Sequence, residues 1–391
     1  TGDLSWSMIK FPDRRRQAYE RYGAIAVQAG VTPAHYWEQA VEFSADHYDP
    51  DQWCRAIKAA GARYVVLTTK HHDGFALWPS AFGDFNIGIY QPGRDLVGEF
   101  VNACRAHGLK IGFYYSPPDW YFNRHRMSFS RGNDGVDLGI HHEPITLPDQ
   151  NSKEEKAFDA KYRAYIKGQV EELLTRYGTI DLLWFDGNGS DAITLERIHE
   201  LQPGIVVNRR AGAFGDFATP ECSFPKERPQ DWWEFCHIWN DGAWGYLSHE
   251  IYKPLGWMLT EFVKARSWNG NFLINMGPNS HGELPHAALQ RLQELAAWMQ
   301  HSAESVFGTS AGPWPQQCNL PVTCRQDTWY VHVTMNWDGP VELRGVAAPR
   351  TITLLRTGES LPYTFADGTL TITLADDLRS VLDDVIAVRW A

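Results

Sequence analysis

The chain has 391 residues, 43% hydrophobic and 21% charged, with a formal net charge of −11. That is the composition of an ordinary globular protein, with room for one large domain and a small one or for two or three of ordinary size. The net charge disfavours a nucleic-acid binder, and no apolar run approaches the roughly 20 residues of a membrane-spanning helix.

The first ten residues, TGDLSWSMIK, hold no basic region followed by an apolar stretch, so no signal peptide is visible. Localisation stays open between the cytoplasm and export after removal of a leader not present in this chain. Predicted strands follow at Ala24–Val27, Tyr64–Thr68, Lys110–Tyr115, Asp181–Phe185, Ile205–Asn208 and Asn271–Asn275, each a short apolar run. Predicted helices stand between several of them, over Pro50–Ala60, Leu96–His107 and Ala157–Tyr177. Strand and helix in alternation predict a parallel sheet with helical crossovers, and their number favours an α/β fold of the (β/α)8-like barrel type. A doubly wound open sheet is the alternative. It would ordinarily carry a glycine-rich phosphate turn after its first strand, and no GxGxxG occurs there.

Near residue 312 the character changes at the proline-rich joint AGPWPQQ. Short alternating runs follow (TWYVHVTM, PVELRG, TITLLRTG, TLTITL and VIAVRW), with an Asp367-Gly368 turn before the fourth. They predict hairpins and a small C-terminal antiparallel β-sandwich. The expected division is a catalytic domain over 1–311 and a sandwich over 312–391.

The six cysteines are thinly spread with no CxxC, so no structural zinc site is expected, and a reduced compartment is the default. Seventeen tryptophans, many beside Asp, Glu, His or Asn, are the anomaly. They fill a core, or they stack on the C–H faces of a sugar.

Three strand ends carry chemistry, as barrel sites do. The first is the end of the strand Tyr64–Thr68, which runs into Lys70, His71, His72 and Asp73. Adjacent residues inside a strand point to opposite faces, so both histidines reach one pocket only if they lie at or beyond the strand's end. They are structural, or they bind substrate hydroxyls, or they bind a metal; no carboxylate–histidine cluster of ligand spacing accompanies them. The second end is IDLLWFDGNG, where Asp186 follows Trp184 and Phe185. It is a turn aspartate, or a carboxylate nucleophile in a partly apolar site. The third is QDWWEFCHIWNDGAWGY, where Glu234 sits among aromatic residues. Desolvation would raise its pKa, as suits a general acid, unless it is an exposed rim glutamate; Asp241 competes for the role. A buried acid and a carboxylate nucleophile are what glycoside hydrolysis needs, with retention of configuration if the two stand about 5–5.5 Å apart.

The motifs YDPDQW, GARYVVLTTKHHDGFALWPS, RDLVGEF, GLKIGFYYSPPDW, LLWFDG, WWEFCHIWNDGAWGY and NGNFLINMGPNSHGELP together resemble the α-L-fucosidases of glycoside hydrolase family 29, over roughly residues 45 to 310. The resemblance implies a (β/α)8-like barrel followed by a sandwich, and a retaining, exo-acting α-L-fucosidase without metal or organic cofactor. It implies Asp186 as nucleophile and Glu234 as acid/base. It also implies His71 and His72 as readers of fucose hydroxyls, Tyr114 and Trp184 in the pocket, Arg210 near the sugar, and Trp244 against its apolar side. The substrate would be a fucosylated oligosaccharide or glycoconjugate, with neither nucleic acid nor membrane as partner and the oligomeric state open. One departure stands out. The family's first strand usually ends in a sugar-binding His, and Gln28 stands near that position here. A relative acting on another sugar, such as an α-L-galactoside, is therefore an alternative, as is a non-catalytic sugar-binding protein.

Overall fold

A computed structural model describes residues 3–11, 30–131, 135–210, 214–240, 242–248 and 251–390. The β-branched run predicted from Tyr64 forms strand β1 (Tyr64–Lys70), followed by β2 (Lys110–Tyr115), a short hairpin of β3 (Asp137–Leu138) and β4 (Pro144–Ile145), β5 (Leu182–Phe185) and β6 (Val206–Val207). β1, β2, β5 and β6 make a four-stranded parallel sheet in that order. Then come β7 (Glu234–Ile238) and β8 (Asn271–Asn275), paired parallel. Residues 217–221 connect the two groups. Phe217 bridges to Asn208, Ala218 to Trp233 and Glu221 to Cys236, all parallel. The result is a continuous parallel arc with β1 at one margin and β8 at the other.

The arc curls. Leu182, Trp184, Phe217 and Cys236 form one apolar cluster with Tyr64, Val66, Tyr114, Val206, Trp244 and Leu273. Side chains from β1, β2, β5, β6, β7 and β8 can share a cluster only if their common face is concave. Among the described residues no strand joins β8 to β1, so closure into a ring is not seen. The predicted strand Ala24–Val27 lies outside the described residues, as do Gln28 and Asp241.

The helices begin where turn chemistry lets them. Asp49 and Asp95 cap Pro50–Ala59 and Leu96–Ala106 by accepting from the backbone amides of Gln52 and Gly98. Helix Lys153–Arg176 starts earlier than the expected Ala157, because Ser152 accepts from the amide of Glu155 in a capping-box sequence. Among the described residues no helix is long and apolar enough to cross a membrane.

Beyond the last helix the chain is antiparallel. A five-stranded sheet runs β13 (Thr351–Leu354), β16 (Asp384–Arg389), β11 (Thr328–Val333), β10 (Val322–Arg325), β9 (Ser310–Ala311). A three-stranded sheet runs β12 (Val341–Arg344), β15 (Thr369–Ile372), β14 (Tyr363–Ala366). Val331, Ile352 and Ile386 of the first share one core with Leu343, Leu370 and Ile372 of the second. The expected turn joins β14 to β15, with Asp367 and Gly368 at φ 47° and 74°, the left-handed pair of a type I′ hairpin.

Candidate active site

A shift of register between Thr68 and Lys70 breaks the regular end of β1. Past it the backbone is free of the strand's alternation, and both adjacent histidines turn to one side. The His71 and His72 rings lie 4.3 Å apart, centroid to centroid. Tyr114 stacks on His71 at 5.7 Å, and Trp6 and Trp120 pack on His72 at 5.6 and 5.2 Å. The outward ring nitrogens are engaged, His71 Nδ1 with Ser5 Oγ at 2.9 Å and His72 Nδ1 with Ser116 Oγ at 2.6 Å. Burial lowers the His71 pKa to about 4 and, with His71 adding to the effect, that of His72 to about 3. Both rings are therefore neutral at physiological pH.

Lys70 and Asp73, the flanks of the pair, serve the scaffold. Asp73 accepts from the Phe75 amide and the Tyr36 hydroxyl. The fully buried Lys70 Nζ lies 2.9 Å from Asp119 Oδ2 and over the Tyr115 ring. Asp119 also accepts from Tyr165 Oη at 2.7 Å and from the Phe122 amide at 2.8 Å. This knot ties the end of β1 to the segment after β2. Asp119→Asn leaves the buried ammonium unpaired, so it should lower the free energy of unfolding by about 3–5 kcal/mol. Urea denaturation checks this, and an unchanged midpoint would show that the pair does not hold the loops.

Asp186 stands just past β5, its backbone amide still bonded to the Tyr115 carbonyl. Its carboxylate accepts from Tyr114 Oη at 2.8 Å on Oδ2 and from Arg210 Nη1 at 3.1 Å on Oδ1. His72 Nε2 lies 3.7 Å from Oδ2. Burial pushes this carboxyl's pKa up, but the opposing interactions of His72, Arg210 and Tyr114 outweigh it and hold the value below the usual range. Because His72 is neutral above about pH 3, the partners that matter near neutrality are the guanidinium and the phenol. Asp186 is an ionised, oriented carboxylate in a wall of rings. Trp184 stacks on Tyr114 at 5.5 Å and carries the Arg210 guanidinium 4.7 Å from its ring centre.

Arg210 reaches further. Its Nη2 donates to Glu221 and its Nε to Thr219 Oγ1 at 3.2 Å. One guanidinium thus spans two carboxylates, Asp186 and Glu221. His71, His72, Tyr114, Trp184, Asp186, Arg210, Glu221 and Trp244 all line a single cleft. The ligand-capable atoms of His71, His72 and Asp186 lie within 4.8 Å of one another, a spacing that could also hold a metal ion. Arg210, already on the same carboxylate, would repel the cation.

The sequence profile of the Alpha-L-fucosidase family matches residues 5–304. The chain belongs to this family. Among curated relatives, the tissue alpha-L-fucosidase of Mus musculus is 28% identical over 347 residues, covering 83% of this chain and 69% of that protein. Among solved structures, alpha-L-fucosidase isoenzyme 1 from Paenibacillus thiaminolyticus is 30% identical at a TM-score of 0.79, covering 99% of this chain and 98% of that one. A Thermotoga maritima alpha-fucosidase in complex with a mechanism-based inhibitor is 29% identical at a TM-score of 0.71, covering 91% and 82%.

One of the expected residues, Glu234, stands apart from the others. Glu234 is the first residue of β7, paired with Asn271, at the opposite end of the arc from His71 and Asp186. It is 2% exposed and absent from the cleft wall. Tyr64 Oη and Trp184 Nε1 both donate to it, the latter at 3.0 Å. Burial does raise its pKa, against the pull of those two hydrogen bonds. The expected buried environment is there, behind the cleft wall formed by Trp184. The cleft carboxylate that sequence reasoning missed is Glu221, which bridges to Cys236 two residues farther up β7. It lies in TPECSFP, a proline-flanked stretch without periodicity, and only the tertiary contact to Arg210 marks it.

Proposed function

We propose that this chain is a retaining, exo-acting α-L-fucosidase that removes terminal α-L-fucosyl residues from glycans. The observation that carries the reading is Asp186, ionised and oriented by Tyr114 and Arg210 at the end of β5, in a chain of the fucosidase family. One Asp186 oxygen attacks the anomeric carbon as the bond to the leaving oxygen breaks, through an oxocarbenium-like transition state. The general acid gives its proton to that oxygen. The same group then takes a proton from water, whose oxygen attacks the anomeric carbon and frees Asp186.

Geometry favours Glu221 over Glu234 for the acid/base. Glu221 lines the cleft and shares a guanidinium with Asp186, an arrangement on the scale of the roughly 5–5.5 Å that separates the carboxyls of retaining enzymes. His71 and His72, neutral and side by side, are suited to exchange hydrogen bonds with sugar hydroxyls. Trp184 and Trp244 offer rings for the apolar face of the sugar.

We read the arc and its helices, residues 1–311, as a (β/α)8-like catalytic domain in which one further strand between β8 and β1 would close the barrel. Residues 312–391 then form a sandwich, with β9 as a borrowed edge strand. No cleft residue lies beyond Gly308, which supports that division. The test is a panel of aryl glycosides followed by NMR of the first-released sugar. The reading expects turnover of the α-L-fucoside with α-L-fucose released first. Activity confined to another glycoside, or release of the β-anomer, would overturn it.

A further inference from the structure

Ser116 follows β2 directly and is fully buried. Its hydroxyl has two neighbours: Oγ donates to the Pro118 carbonyl at 2.8 Å and lies 2.6 Å from His72 Nδ1. A serine hydroxyl has one proton to give. With that proton on the Pro118 carbonyl, Oγ meets His72 as an acceptor, and Nδ1 must donate.

The carbonyl that takes the proton is held in place. Gly187, at φ +86°, leaves room for the Pro118 ring, since a Cβ there would come within 2.6 Å of Pro118 Cγ. The Pro117 carbonyl accepts from Tyr162 Oη at 2.6 Å, and the Ser116 amide bonds the Lys70 carbonyl. In the opposite arrangement Ser116 would give its proton to Nδ1, and His72 would carry its own on Nε2. That proton would face Asp186 Oδ2 across 3.7 Å, too far for a hydrogen bond, and Pro118 would lose its donor.

We infer that Ser116 is a positioning residue that fixes His72 in the Nδ1–H tautomer, so that a bare Nε2 faces the cleft beside Asp186 and accepts a hydrogen bond from a substrate hydroxyl. The second half of this rests on the sugar-site reading above; the first half does not. The neutrality of His72 above about pH 3 is consistent with it. The specificity consequence is concrete. Nε2 and Oδ2 are two acceptors 3.7 Å apart, so a sugar group bound at Nε2 must present a proton donor. A fluorine, an ether oxygen or a deoxy carbon at that position leaves the nitrogen unpaired, for a loss of roughly 10–100-fold in affinity.

The test is long-range proton–nitrogen NMR on the full chain with 15N-labelled histidine at pH 7, with His72 assigned by its absence in His72→Gln. The native protein should show His72 protonated on Nδ1 and bare on Nε2. Ser116→Ala should shift His72 toward the Nε2–H form and lower kcat/KM on an aryl α-L-fucoside roughly 10–100-fold. Ser116→Thr, which keeps the hydroxyl, should restore both. An Nε2–H tautomer in the native protein would overturn the inference. So would a Ser116→Ala protein that loses activity with its tautomer unchanged, because Ser116 would then only support the loop. If Ser116→Ala does not fold, the native spectrum decides alone. An Nδ1–H tautomer in a protein inert toward every fucoside would refute the fucosidase reading and leave the tautomer assignment standing.

Discussion

Asp186→Ala removes turnover of an aryl α-L-fucoside, by more than the roughly 10²–10⁴-fold that general acid–base catalysis alone contributes. The loss falls on kcat, because bond formation to the anomeric carbon needs the carboxylate while sugar binding has His71, His72 and the rings to rely on. Asp186→Asn, which keeps the shape, fails equally, since the amide is a poor nucleophile. The fold survives both changes: Asp186 sits past the end of β5, and Arg210 keeps Glu221 and Thr219 as partners. The alanine variant opens a space that azide can fill, and a β-fucosyl azide then forms from a reactive α-fucoside. Native-like turnover by either variant would remove Asp186 from the mechanism.

Glu221 and Glu234 give opposite results. Glu221→Gln lowers kcat by about 10²–10⁴-fold and removes one limb of the pH–rate profile. The loss is greatest for substrates whose leaving group needs protonation. Glu234→Gln leaves kcat within a few-fold of native, because Glu234 is buried behind the cleft wall, where it accepts from the Tyr64 hydroxyl and the Trp184 indole. A glutamine oxygen there still accepts from either. Should Glu234→Gln cost the pH limb and Glu221→Gln leave it intact, the acid/base returns to Glu234.

Much of this was legible in the sequence where one residue type implies one geometry. Tyr64–Thr68, Lys110–Tyr115 and Asn271–Asn275 read as strands because β-branched and aromatic runs have few other uses at that length, and β1 runs on to Lys70. His71 and His72 could be placed at a strand's end because alternation forbids two adjacent side chains on one face. β7 was not read, because EFCHI carries a glutamate and a histidine inside an aromatic stretch that resembles a loop. Aromatic neighbours announce a buried carboxyl at Glu234, but not which end of the strand it occupies. Glu221 and Ser5 were out of reach for a different reason. Each acts through a partner distant in the chain, Glu221 through Arg210 and Ser5 through His71 across 66 residues. No local pattern encodes such a contact. In the C-terminal sheets β14, exposed along its whole length, lacks the alternation of its neighbours and was likewise missed.

The most direct measurement is covalent trapping. The chain is incubated with a 2-deoxy-2-fluoro-α-L-fucosyl fluoride, whose fluorine slows hydrolysis of the glycosyl ester more than its formation. It is then digested and read by peptide mass spectrometry. The account predicts stoichiometric inactivation and one fluorofucosyl adduct on the peptide containing Asp186. An adduct on another carboxylate, or inactivation without any adduct, would contradict a double displacement through Asp186.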